Sequence, residues 1–168
     1  MQRKLKIFFL SILFIITNIV LATTANAQIG DNNAPILMAY LSGAEEVPKI
    51  DTTAQGKIIF HLSDDGKDLY YKLNVDDIEK VNAAYIRLGS KGDRGRAVVI
   101  LFDIDSPWTS SINKVTVEGV ITSNNLIGPL FGQPISALIR AMEENSTYVN
   151  IRTIDFPNGH IRGQIINP

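Results

Sequence analysis

From residue 36 onward the chain alternates apolar and polar positions in short runs separated by turn residues, the period-two pattern of strands whose two faces meet different surroundings. "ILMAYLS" (36–42) predicts a first strand and "GKIIFHL" (56–62) a second. "SDDG" (63–66) then turns the chain, because Ser and Asp bond back to the backbone and Gly accepts positive φ, and "DLYYKLNV" (68–75) returns as the hairpin partner. "AAYIRLG" (83–89) puts Ala84, Ile86 and Leu88 on one face, Tyr85 and Arg87 on the other. "AVVILF" (97–102) is apolar at every position, which predicts a buried central strand, and "DIDSPWTSS" (103–111) reads as irregular. "KVTVEGVIT" (114–122) alternates again, with Val115, Val117, Gly119 and Ile121 on one side.

The period changes once. In "PISALIRAMEE" (134–144) the residues Ile135, Leu138, Ile139 and Met142 recur at helical spacing behind Pro134, so one short amphipathic helix is expected to pack its stripe on the core and leave Arg140, Glu143 and Glu144 in solvent. The chain then closes with strands at 147–154 and 159–166, joined by "DFPNG" (155–159), whose Asn-Gly after Pro is a strong turn signal. This count of short strands with a single helix implies an all-β fold, an antiparallel β-sandwich.

The first 27 residues differ in kind. Arg3, Lys4 and Lys6 precede the apolar run "IFFLSILFIITNIVLA", and small residues stand at Ala25 and Ala27, the order of a secretory signal peptide. The apolar run is too short and too interrupted for a membrane span. Cleavage after Ala27 leaves a mobile lead at 28–35 and one domain at 36–166, secreted or otherwise extracytoplasmic. Removal of the three basic residues lowers Lys plus Arg from 16 to 13 against 17 acids, a net charge of −4. Such a domain lacks the basic footprint of a nucleic-acid binder. With no cysteine, an exported chain is held by packing alone and has neither a thiol nucleophile nor a thiolate metal site.

Five phrases in order, "LSGAEEVP", "LSDDGKDLYYKLNV", "NAAYIRLGSKGDRGRAVVILF", "GPL" and "YVNIRTIDFPNGHIRGQI", resemble the CHRD domain, the chordin-type module found singly in secreted microbial proteins. The resemblance implies a β-sandwich of immunoglobulin-like or superoxide-dismutase-like type and, for most microbial members, no settled activity. It also implies histidines in an Ala-His-Ile-His strand and a Tyr-Val-Asn-Val-His-Thr strand, in the manner of metal-binding superoxide dismutases. This chain has Tyr85, Arg87 and Arg152 at those positions. A guanidinium has no acceptor lone pair, so no metal is expected there.

Other candidate chemistry is sparse. His61 and His160 are solitary, and His160 is expected to pair with Asp155 or Tyr148 across its hairpin. Asp103, Asp105 and Ser106 carry oxygens suited to calcium but lack an EF-hand spacing, which favours a plain loop. No nucleophile elbow, phosphate loop or zincin motif occurs, so no catalytic residue and no cofactor is assigned. "NST" makes Asn145 a glycosylation acceptor by sequence. There remain Arg87, Arg152 and Arg162, each following an isoleucine. With Tyr85 and Asn150 they form a candidate anion-binding or partner-binding face, against the plainer reading that each arginine pairs with Glu45, Glu46 or Glu118. The functional expectation is a non-enzymatic extracellular module whose partner is a protein, a surface glycan or another copy of itself. The alternatives are a divergent metal-binding sandwich with a residual enzymatic role and a self-assembling envelope protein.

Overall fold

The computed structural model describes residues 37–108 and 114–167, without the side chains of residues 105–108. The signal segment and the lead at 28–35 lie outside the described residues. Eight strands are formed: β1 (Leu37–Ser42), β2 (Gln55–Leu62), β3 (Leu69–Asp76), β4 (Val81–Leu88), β5 (Ala97–Trp108), β6 (Lys114–Ile121), β7 (Thr147–Thr153) and β8 (Ile161–Gln164). One helix, α1 (Ile135–Glu143), precedes β7. The strands make a single antiparallel sheet in the order β5-β4-β7-β8-β1-β2-β3-β6. The fold is therefore all-β and antiparallel with one short helix, and its sheet curls nearly into a barrel.

The β2–β3 hairpin follows its sequence pattern at every position, pairing Gln55 with Asp76 through to Leu62 with Leu69. Ile58, Phe60, Leu69 and Leu73 point inward and are fully buried. Its turn is built as the residue types require: the Ser63 hydroxyl donates to Asp65 and accepts from the Lys67 and Asp68 amides.

Pairing is thinnest where β8 meets β1. Only Ser42 opposite Arg162 joins the two strands, reinforced by a bridge between Met38 and Ile166. The sheet thus consists of two four-stranded halves hinged at that seam and sharing one core. Tyr71 of β3 ties them together from within, its buried hydroxyl donating to the Leu101 carbonyl of β5 at 3.0 Å. Gly119, opposite Tyr71 in β6, makes room for the ring: a Cβ there would lie 2.7 Å from the phenol.

Two expectations about β5 need correction. The apolar "AVVILF" run forms the terminal strand of the sheet, not a central one, and Ile100 is 45 % exposed. Val98 and Val99 are buried because the chain after β6 covers that edge, with Leu126 bridging Val99 and the Ile127 amide donating to the Val98 carbonyl. Burial by a loop and burial by two neighbouring strands leave the same apolar signature. The strand also continues through Trp108, where irregular chain was expected. Pro107 is tolerated because an end strand has a side with no ladder to maintain.

α1 begins one residue later than the pattern suggests, since Pro134 keeps extended backbone as the residue before the helix. Leu138 and Met142 are fully buried in the common core and Ile135 nearly so. Asn145, exposed with φ +53°, stops the helix in a left-handed conformation that Asn tolerates better than most residues.

Tyr71→Phe keeps the ring and removes the tie, leaving a buried carbonyl unpaired. We expect a loss of about 1–3 kcal/mol, read as a lowered midpoint of urea unfolding at unchanged m-value.

Candidate functional site

The pairing of β4, β7 and β8 decides what shares a face. Tyr85 stands opposite Asn150 and Asn150 opposite Arg162, while Arg87 faces Tyr148 and Ala83 faces Arg152. Strand alternation then sends Tyr85, Arg87, Asn150, Arg152 and Arg162 to one side of the strip and Ile86, Ile151 and Ile161 to the other. All three isoleucines are fully buried in the core, as expected. The five candidate residues come together on one face.

Two loops roof that face. After β1 a 3-10 turn at Gly43–Glu45 brings Glu46 over β7, where it is 8 % exposed and accepts a hydrogen bond from Asn150 Nδ2 at 2.7 Å. Gly159 abuts this pair so closely that any Cβ would collide with both side chains. The glycine-rich loop at 89–96 folds over from the other side. Arg162 donates to its Ser90 and Asp93 carbonyls, Arg87 donates to the Gly95 carbonyl, and the Gly95 amide donates to the Tyr148 hydroxyl. The Arg162 guanidinium also stacks 3.5 Å from the centroid of the Tyr148 ring. Arg94 projects from the clamped loop, exposed and, among the described residues, without a hydrogen bond or ion pair of its own.

Between the roof and the strip lies a cavity of about 190 Å³, walled by Arg87, Arg94, Arg152, Arg162, Glu46 and Asn150 among others. Tyr85 is not in its wall. It sits alongside, its ring 5.1 Å from the Arg87 guanidinium and 5.6 Å from that of Arg152, with its hydroxyl donating to Asp103 at 2.6 Å. Burial, then the Asp103 carboxylate, raises the pKa of that hydroxyl.

The plainer reading of these arginines does not describe them. Among the described residues the ion pairs belong to lysines: Lys91 takes Glu45 and Lys72 takes Glu118. The arginines bond main-chain carbonyls, Arg152 to that of Pro157. Carbonyls orient a guanidinium without cancelling its charge, so four cations face one cavity with Glu46 as the carboxylate in its wall. Two buried polar atoms of residues that line it, the Arg87 Nε donor and the Asn150 Oδ1 acceptor, also lack a partner, as do side-chain oxygens of Asn82, Thr147 and Gln164 elsewhere among the described residues.

Of the other candidates, Asp103 serves Tyr85, and the side chains of Asp105 and Ser106 lie outside the described residues. His160 bonds Thr52 Oγ1 at 3.0 Å and Thr153 Oγ1 at 3.3 Å, where Asp155 or Tyr148 was expected, because the 51–54 segment packs beside the β7–β8 turn. His61 pairs opposite Tyr70 in the sheet. Among the described residues no three His, Asp or Glu side chains cluster to hold a metal, and guanidinium nitrogens cannot substitute for imidazole.

A family model described as the CHRD domain matches residues 37–165. The chain belongs to the CHRD family. No curated protein and no solved structure matches it. The matched residues include every segment that builds the cavity. "LSGAEEVP" supplies Glu46, the loop inside "GSKGDRGR" supplies Arg94, and the closing hairpin supplies Asn150, Arg152 and Arg162. Sequence reasoning passed over Arg94 and considered Glu46 only as an acid to neutralise one of the arginines. The usable signal was their place in family phrases, one preceding a Val-Pro stop and the other between two loop glycines.

A buried carboxyl, Glu46, and a half-buried imidazole, His160, oppose each other in pH near this face. Burial is the main cause raising the Glu46 pKa, against lowering by the Asn150 bond, the Val47 amide, Arg162 and Arg94. Folding therefore favours its protonated form, and its contribution to stability declines as pH rises through the raised pKa. Burial lowers the His160 pKa against the nearby Asp155, so its contribution is complete above about 6.5 and is lost as pH falls. Relative to the parent, Glu46→Gln should gain stability between pH 4 and 7 and His160→Gln should lose it, as measured by thermal unfolding of each pair across that range.

Proposed function

We propose that this CHRD domain is an extracytoplasmic, non-enzymatic binding module that captures an anionic ligand in the arginine-walled cavity. The observation that carries the reading is the set of four guanidiniums around one cavity, three of them, Arg87, Arg152 and Arg162, oriented by carbonyls rather than spent on carboxylates, and the fourth, Arg94, exposed at its rim. Guanidinium forks in a recess suit carboxylate, sulfate or phosphate oxygens, and part of their desolvation has already been met by the fold. The N-terminal segment, with its basic start, apolar run and small residues at Ala25 and Ala27, supports an extracytoplasmic location.

Of the two sandwich types, we favour the superoxide-dismutase-like one, because the halves β5-β4-β7-β8 and β1-β2-β3-β6 are joined at a single seam and tied through the core by Tyr71. A metal-dependent role is disfavoured by the donor set, which offers N–H groups where a metal needs lone pairs. Edge-to-edge assembly through β6 is disfavoured by the charged Lys114 and Glu118 along that strand, a common guard against strand addition.

The double variant Arg94→Ala, Arg152→Ala should elute from an immobilised acidic polysaccharide at clearly lower salt than the parent, with its unfolding curve retained. Equal elution salt for the two proteins would overturn the anion reading.

A further inference from the structure

The cavity offers acceptors as well as donors. Asn150, 2 % exposed, has its amide nitrogen committed to Glu46 and its oxygen unpartnered, while Glu46 brings a carboxylate to the same wall. On the other side stand the unpartnered Arg87 Nε and the uncommitted Arg94. A bare sulfate or phosphate satisfies only the donors and is repelled by Glu46. A ligand that satisfies both sets carries an anionic group and hydroxyl donors on one compact frame.

A second cavity of about 240 Å³ adjoins the first and shares Glu46, Val47, Arg94 and Asn158 with it. Its remaining wall is largely apolar, from Pro48, Ile50, Phe156 and Pro157, with Asp155 held at 3.0 Å by Lys80. Each cavity alone falls below the roughly 300–1,000 Å³ of an ordinary small-molecule site, and together they come within it. The second wall is suited to the C–H face of a ring, and Asp155 makes it a poor place for a second anion.

We propose that the paired cavities take an acidic glycan end, a uronate whose carboxylate engages Arg94 and Arg152 and whose hydroxyls donate to Glu46 and Asn150 Oδ1. The adjoining neutral sugar lies against Phe156 and Pro157. This rests on the anion reading above and specifies its ligand class.

The test is calorimetric titration of the full domain with four probes: a glucuronate-containing disaccharide with a neutral second sugar, the same disaccharide with its carboxyl reduced to an alcohol, free glucuronate, and inorganic sulfate. The uronate disaccharide should bind tightest, with reduction of the carboxyl and the Arg152→Ala change each costing roughly tenfold or more. Arg94→Ala, a change at an exposed residue with no hydrogen bond to lose, should weaken the disaccharide likewise and guards against misfolding of the Arg152 variant. Glu46→Gln should weaken the disaccharide but strengthen sulfate, because it removes a hydroxyl acceptor and a repelling charge together. Phe156→Ala should weaken the disaccharide and leave free glucuronate unchanged. Sulfate binding as tightly as the disaccharide, with Glu46→Gln strengthening both, would overturn the glycan assignment and leave a plain anion site. Failure of every probe, sulfate included, would overturn the anion reading itself.

Discussion

A positive charge sits where β8 meets β1, the most sparsely paired junction of the sheet. Arg162 is only 3 % exposed, and removing a guanidinium from water costs several kcal/mol, on the order of the stability of a small domain, unless the surroundings replace its hydration. The replacement comes from three directions: two loop carbonyls at Ser90 and Asp93, the face of Tyr148, and the field of Glu46. Each of these fixes something else. The carbonyls bring the 89–96 loop down onto the strands, Tyr148 locks β7 alongside and receives the Gly95 amide, and Glu46 draws the loop after β1 over Asn150. The cavity is what remains between groups that converge to hold one buried cation.

That arrangement also explains why the face can be charged and still stable. A guanidinium bonded to one or two carbonyls is oriented and keeps its charge with some of its five N–H donors unspent, whereas pairing with a carboxylate would orient and neutralise it in one step. The lysines of this domain take the second course on the open surface, where such pairs contribute little. The arginines take the first in the recess. Buried polar atoms normally find partners, so an Arg87 donor and an Asn150 acceptor left without them in the same wall are informative.

The sequence made the scaffold readable because its signals are local. The Ser63–Gly66 turn chemistry, the alternation in β2 and β3, and the three isoleucines preceding arginines each depend on neighbours a few residues away. The helix stripe was legible for the same reason. What misled was burial of non-local origin: "AVVILF" is apolar on both faces because a distant segment at 126–127 covers it, and composition cannot distinguish a covering loop from a covering strand. The site was half legible. The residues on β4, β7 and β8 are grouped by alternation and family pattern, but Glu46 and Arg94 arrive on loops whose positions are set by Arg162, far away in sequence.

The resemblance to the CHRD pattern implies histidines where this chain carries Tyr85, Arg87 and Arg152, and that difference has a definite chemical consequence. Tyr85, Arg87 and Arg152 do converge, both guanidiniums lying within 6 Å of the Tyr85 ring centroid, so the geometry that could gather three imidazoles is retained with different groups on it. Imidazole offers a lone pair to a cation; guanidinium offers N–H groups to an anion. Exchanging one for the other leaves the register, the inward isoleucines and the hairpin turn untouched while putting N–H donors where lone pairs would stand. The conversion is incomplete in one respect, since Glu46 and Asn150 Oδ1 still present acceptors among the donors. On the proposed reading, those acceptors oppose a simple anion and favour one that brings hydroxyls of its own, and selectivity rests on the groups that oppose the charge of the face.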